Sequence, residues 1–148
     1  MRTFYVLLMA LLPLVGNGQA YLGSTFSEIK ANHPEISFKE DVTDSGIKII
    51  SASMPYGTFF YYFEKASGLS TVCLQIPYDM KSQNSQIEIY NKEYVIVSES
   101  SWKADLEGGA IMMIELLYDE KSKSYFFRYM LNGSSPPETG SRTRYIRS

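Results

Sequence analysis

The stretch from Ile47 to Ile76, IKIISASMPYGTFFYYFEKASGLSTVCLQI, decides the fold. Its short apolar runs are rich in β-branched and aromatic residues, and they are interrupted at Pro55-Tyr56-Gly57 and at Ser67-Gly68. Such runs, separated by turn-forming residues, are typical of strands joined by hairpins. The stretch therefore predicts three consecutive strands of an antiparallel meander. They cover Ile47–Ser53, Thr58–Glu64 and Leu69–Ile76.

Similar runs flank this stretch on both sides. Before it, Ile36–Glu40 and the turn signal Asp44-Ser45-Gly46 predict one more strand, so that the first group has about four. After it, about three strands are expected, at Tyr94–Ser98, Ala110–Tyr118 and Tyr125–Leu131. The segment Trp102–Gly109, WKADLEGG, is interpreted as a connection.

Two short helices are predicted from capping-box spacings, in which Ser or Thr precedes Glu by three residues. Thr25 and Glu28 begin the first helix, and Pro34 ends it near His33. Ser85 and Glu88 begin the second helix. Its apolar residues recur at helical intervals, at Ile87, Tyr90 and Tyr94.

The order of these elements predicts an α+β fold, an antiparallel meander sheet with both helices packed on one face. Each helix precedes a group of strands, so the order also allows a tandem helix-plus-strands pseudo-repeat, although residue identities are too few to establish a duplication. Residues 21–131 are expected to form a single domain, a normal length for one hydrophobic core.

Both alternating sets of side chains in Phe59–Phe63, FFYYF, are aromatic. In a sheet with one solvent-exposed face, apolar and polar residues alternate along each strand. This run does not alternate in that way, so both faces are expected to be covered. One set is a candidate for an aromatic face that binds a protein partner or an extended ligand, although its members could equally fill the core. The candidate anchors are Tyr61, Phe63, Trp102, Tyr125 and Phe127.

The ends of the chain have a different composition. Residues 1–20 carry one charge at Arg2, a twelve-residue apolar run at Phe4–Val15 and small residues at Gly18 and Ala20, which is the order of a cleaved signal peptide. The run is too short for a membrane-spanning helix, which needs roughly twenty residues. Residues 132–148 are polar and locally basic, and they predict a disordered tail. The mature product is therefore expected outside the cytoplasm, periplasmic or extracellular.

Composition argues against several function classes. A formal net charge of −2 does not suit nucleic-acid binding. One histidine, His33, and one cysteine, Cys73, are too few for a zinc site, and no metal or other cofactor is predicted. Cys73 is interpreted as a small buried residue. Several carboxylates between Trp102 and Glu120 leave open a small hydrolase of envelope glycans that uses a pair of acids.

A capped helix followed by a meander, occurring twice between Thr25 and Leu131, resembles the small exported bacterial domains of the β-lactamase-inhibitor-like and outer-membrane-assembly-lipoprotein-like group. The resemblance implies a domain that binds proteins or stabilises envelope assemblies. No lipid-anchor cysteine is present near Ala20, which departs from the lipoprotein members. The sequence thus favours an exported, non-enzymatic binding domain of the bacterial envelope. The glycan hydrolase and a structural dimerising subunit remain as alternatives, and the oligomeric state is left open.

Overall fold

The computed structural model describes residues 22–106 and 109–132. The predicted signal peptide at 1–20 lies outside these residues, and so does the predicted tail at 132–148 apart from Asn132. The described part contains the helices α1 (Phe26–Asn32) and α2 (Met80–Glu93). Its eight strands are β1 (Lys39–Val42), β2 (Lys48–Met54), β3 (Gly57–Phe63), β4 (Ser70–Pro77), β5 (Val95–Ser98), β6 (Ser101–Asp105), β7 (Ile111–Asp119) and β8 (Ser124–Leu131).

The eight described strands form one sheet in the order β1-β2-β3-β4-β8-β7-β6-β5, and every neighbouring pair is antiparallel. Each four-strand meander starts at an outer edge and runs inward. The two meanders meet where their last strands, β4 and β8, pair from Val72 opposite Met130 to Gln75 opposite Phe127. The first strands, β1 and β5, are therefore the two edges of the sheet.

The expected α+β class is wrong. Strands hold 50% of the structure and helices 20%, so the fold is roughly all-β with two minor helices, an arrangement that is compatible with an antiparallel meander. Helix α1 is as short as predicted, since it ends at Asn32 after seven residues and Pro34 follows closely. The content of strand is higher than expected because β6 was not predicted, and it brings the number of described strands to eight.

Strand β6 covers the first four residues, Trp102–Asp105, of the segment Trp102–Gly109 that was expected to be a connection. Trp102 and Ala104 point inward and are buried, whereas Ser101, Lys103 and Asp105 between them are partly or fully exposed. Strand β6 thus alternates over only five residues, and the charged residues Lys103 and Asp105 at its outward positions hide the pattern.

The N-cap of helix α2 lies six residues before Ser85, where the capping-box spacing predicted it. Asp79 is the N-cap, and its side chain accepts a hydrogen bond from the backbone N–H of Ser82 at 2.7 Å. The first turns of α2 are polar, so hydrophobic periodicity gives no signal there. The predicted start of α1 is confirmed, with Thr25 as the N-cap and Glu28 three residues later.

Both helices pack on the same face of the sheet. Ile29 of α1 and Tyr90 of α2 belong to one buried cluster with side chains from both meanders, including Ile50, Tyr61 and Ile114. A second cluster lies on the other face and draws its buried members from strands alone. These members are Ile49, Phe60, Tyr62, Val72, Leu74 and Phe126. The sheet thus has apolar side chains buried on both faces, as the aromatic run in β3 predicts.

Candidate interaction surfaces

Four of the five predicted aromatic anchors lie in the core beneath the helices. Tyr61, Phe63, Trp102 and Phe127 are between 0% and 4% exposed. Tyr125 alone is accessible, at 42%. Alternation identifies which side chains share a face of a strand, but it does not say which of the two faces the helices cover. The four buried aromatics therefore stabilise the fold, and a partner cannot reach them at its surface.

Trp102 closes the core between α2 and the sheet. Its ring lies edge-on to Tyr90 and also contacts Phe127. Its indole N–H donates a hydrogen bond to the side-chain oxygen of Asn91 at 2.8 Å. The donor is thus satisfied where α2 passes over β6, which is the requirement for burying a tryptophan.

A buried polar cluster joins α2 to the two central strands. Gln75 of β4 and Gln86 of α2 exchange two amide hydrogen bonds, of 2.7 and 2.8 Å. The hydroxyl of Tyr129 in β8 donates to Oε1 of Gln75 at 2.5 Å, and the hydroxyls of Tyr90 and Tyr129 are 2.5 Å apart. A buried network of this kind specifies one register between the packed elements, because any slip leaves polar groups unpaired.

This cluster is not among the sites predicted from the sequence. The available signal is Gln75, a polar residue between Leu74 and Ile76 that shares a face of β4 with the buried Cys73. Gln86 carries no comparable signal, because most of the neighbouring residues in α2 are also polar. Only the fold shows that the two amides face each other.

Cys73 lies fully buried in β4, as expected of a small core residue. Burial raises the pKa of its thiol well above the usual value, and burial likewise raises the pKa of Tyr61 and of Tyr129. These groups are consequently neutral at physiological pH. The thiolate form that a nucleophile requires is disfavoured at this position.

Two of the carboxylates considered for a hydrolase make local structural contacts. Glu115 of β7 accepts a hydrogen bond from Arg128 of β8 at 2.9 Å, directly across the strand pair. Asp119 accepts hydrogen bonds from the backbone N–H and the hydroxyl of Ser122 in the β7–β8 turn. Within residues 22–106 and 109–132, no group of three or more His, Cys, Asp or Glu residues is placed to hold a metal ion.

Edge strand β5 exposes a run of three apolar residues. Val95, Ile96 and Val97 are between 55% and 57% exposed, and all four residues of the strand face solvent. The strand pairs with β6 on one side and ends the sheet on the other. The outer edge of β5 thus offers backbone hydrogen-bonding groups flanked by uncharged, β-branched side chains.

The opposite edge, β1, has a different chemistry. Its sequence is Lys39-Glu40-Asp41-Val42, and its residues are exposed as well. Glu40 also forms an ion pair with Lys48 of β2 at 3.5 Å. Charged side chains on an edge strand oppose pairing with another strand, because pairing would desolvate them. Among the described residues, the sheet therefore has one edge that charged side chains protect and one edge, the outer side of β5, that no strand pairs with.

A second exposed apolar feature lies at the end of the β7–β8 hairpin. Tyr118 and Tyr125 are directly opposite each other, and their ring centroids are 4.9 Å apart. Both rings are exposed by more than two fifths. Alternation along β8 places Tyr125 on the same face as Phe127 and Tyr129, that is, on the helix-bearing face of the sheet.

Comparisons with protein-family models, with curated proteins and with solved structures find no match. Neither α1 nor α2, in the described part of the chain, is long and apolar enough to cross a membrane.

Proposed function

We propose that this chain is an exported, non-enzymatic binding domain that accepts an extended segment of a protein partner as an additional strand next to β5. The observation that carries the proposal is the uncharged, exposed edge formed by Val95, Ile96 and Val97. An extended segment that pairs with such an edge gains main-chain hydrogen bonds along its length, and its side chains can contact those of the edge strand.

The contrast between the two edges supports this role. An unprotected apolar edge promotes aggregation, and proteins usually block one with charges, proline or a covering element. This chain carries three charged residues on β1 and none on β5. The difference is expected if β5 is kept free for pairing.

The binding role is also favoured over the glycan hydrolase. Glu115 is held by Arg128, and Asp119 organises a hairpin turn, so each contributes to the structure of the β7–β8 pair. Export itself is supported by the composition of residues 1–20. The periplasm or the extracellular space is therefore the proposed place of action.

Site-specific photocrosslinking in the native exporting cell tests the proposal. A photoreactive amino acid replaces Val97 on β5 in one strain and Val42 on β1 in a matched strain, since both positions are exposed edge valines. We expect a defined protein adduct from position 97 and none from position 42. We also expect Ile96→Lys to remove the adduct, because a charge at the edge opposes strand pairing. Equal adducts from both edges, or an adduct that survives Ile96→Lys, would contradict the proposal.

A further inference from the structure

The occupant of the open edge can be named more closely, and this step rests on the function proposed above. We infer that the strand that pairs with β5 is β5 of a second copy of this chain. The two strands then run antiparallel about a twofold axis, and two eight-stranded sheets become one continuous sheet. Each copy contributes the same three apolar residues, Val95, Ile96 and Val97, to the contact.

The way in which the chain itself is built supports this geometry. Its two helix-plus-meander units already meet through antiparallel pairing of equivalent strands, β4 and β8. β5 opens the second unit as β1 opens the first, so the two edges occupy equivalent places in the two units. Antiparallel pairing of β5 with β5 of a second copy would join two units in the same way that the pairing of β4 with β8 joins the two units of one chain.

The charge difference between the edges limits the assembly to a closed dimer. Head-to-tail pairing of β5 with β1 would place the apolar edge against Lys39, Glu40 and Asp41, and it would continue from copy to copy as a filament. Pairing of β5 with β5 buries uncharged residues on both sides and leaves both charged edges at the outside. A second copy therefore pairs with the backbone groups of β5 and leaves no further uncharged edge exposed.

The size of the contact predicts its strength. Four residues from each copy bury less surface than a standard-size protein interface. We therefore expect a reversible, concentration-dependent dimer, which forms where the exported product is locally concentrated.

Sedimentation velocity of residues 21–148 over a range of protein concentrations tests the inference. The key variant is Val95→Lys, and its matched control is Val42→Lys. Both valines are 56% exposed, and each lies directly opposite a lysine of the neighbouring strand, Lys103 and Lys48 respectively. The loss of folding stability should therefore be similar in the two variants. Thermal unfolding followed by circular dichroism checks this.

The unsubstituted protein should show a monomer–dimer equilibrium. Val95→Lys should raise the dissociation constant at least about tenfold, because it places a charged side chain on the uncharged pairing edge of both copies, and pairing would desolvate it. Val42→Lys should leave the constant unchanged. A protein that remains monomeric throughout, or a dimer that both variants weaken equally, would overturn the inference.

Two further outcomes separate this inference from the proposed function. A crosslinked adduct from position 97 that contains a different protein, together with a monomer in sedimentation, would overturn the dimer and leave the binding function standing. A monomer whose β5 amides exchange slowly, and lose this protection when residues 133–148 are deleted, would assign the edge to the chain's own segment and would also overturn the dimer. An adduct of twice the chain mass supports both proposals.

Discussion

Gln75, Gln86, Tyr90 and Tyr129 place amide and hydroxyl groups in the middle of an apolar layer. Each amide has a reciprocal partner, and the two hydroxyls bond to one another and to the amides. Burying such groups is tolerated because they are paired, and leaving one unpaired costs more than a typical hydrogen bond contributes. The hydrogen bonds of this cluster therefore fix the position of α2 against β4 and β8, the strands where the two meanders meet.

The substitution Tyr129→Phe tests the role of this cluster. It removes the hydroxyl that donates to Gln75 and contacts Tyr90, so that these groups lose a partner in a dry environment. We expect the free energy of unfolding, measured by urea denaturation, to fall by about 1 to 3 kcal/mol. Tyr125→Phe is the control, because Tyr125 is 42% exposed and its loss of a hydroxyl should cost less than about 0.5 kcal/mol. Equal effects of the two substitutions would contradict this account.

The aromatic residues show how far sequence reasoning reaches at single positions. The alternation in Phe59–Phe63 correctly indicated that both faces of β3 are buried, because both sets of side chains are aromatic. It could not show which of the two sets lies beneath the helices. That choice depends on which face the helices cover, and helix placement is a tertiary property that strand periodicity does not contain.

Among the helices and strands, the start of α2 is set by its N-cap residue Asp79, which the apolar pattern of the helix does not indicate. Asp79 accepts a hydrogen bond from Ser82, and the backbone and side chain of Ser82 hold the pKa of the Asp79 carboxyl below its usual value of 3.8. A carboxyl whose pKa is lowered on folding adds stability above its unfolded pKa and loses that contribution as the pH falls through its folded pKa. Helix α2 should therefore weaken in acid through this one group.

A comparison with Asp79→Asn tests the acid dependence. Asparagine is also a good N-cap but does not titrate, so the helix start is kept and the charge is removed. We expect the melting temperature of the unsubstituted protein to exceed that of the variant at neutral pH, and the difference to shrink as the pH falls below 3.8. A difference that stays constant over this range would show that the charge of Asp79 does not contribute.

The elements differ in how readily they could be predicted, for a physical reason. The strands from β2 to β4 stand out because most of their residues are buried and their turns contain glycine or proline. Helix α1 carries a complete capping box and a proline just beyond its end. Strand β6 was missed because Lys103 and Asp105 separate its few inward residues, and the open edge at β5 is visible only once the strand order is known.

For the whole molecule, the two helix-plus-meander units are too closely joined to behave separately. Their shared cluster contains Ile50 and Tyr61 from the first unit and Trp102 and Phe127 from the second. The bonds of Gln75 to Gln86 and Tyr129 also cross from one unit to the other. Separation of the units would expose both the apolar layer and the polar cluster, so we expect residues 21–132 to unfold in one cooperative transition.

Two probes on different units can test this cooperativity in the unmodified chain. Trp102, the only tryptophan, reports on the second unit by its fluorescence, and Cys73, the only cysteine, reports on the first by its reaction with a thiol reagent. Cys73 is fully buried and its pKa is raised, so it should react only when the first unit opens. Brief labelling along a urea series should give the same midpoint for Cys73 as the fluorescence of Trp102 gives. Labelling of Cys73 at lower urea, while Trp102 is still buried, would show that the first unit opens independently and that the β4–β8 junction does not couple the two.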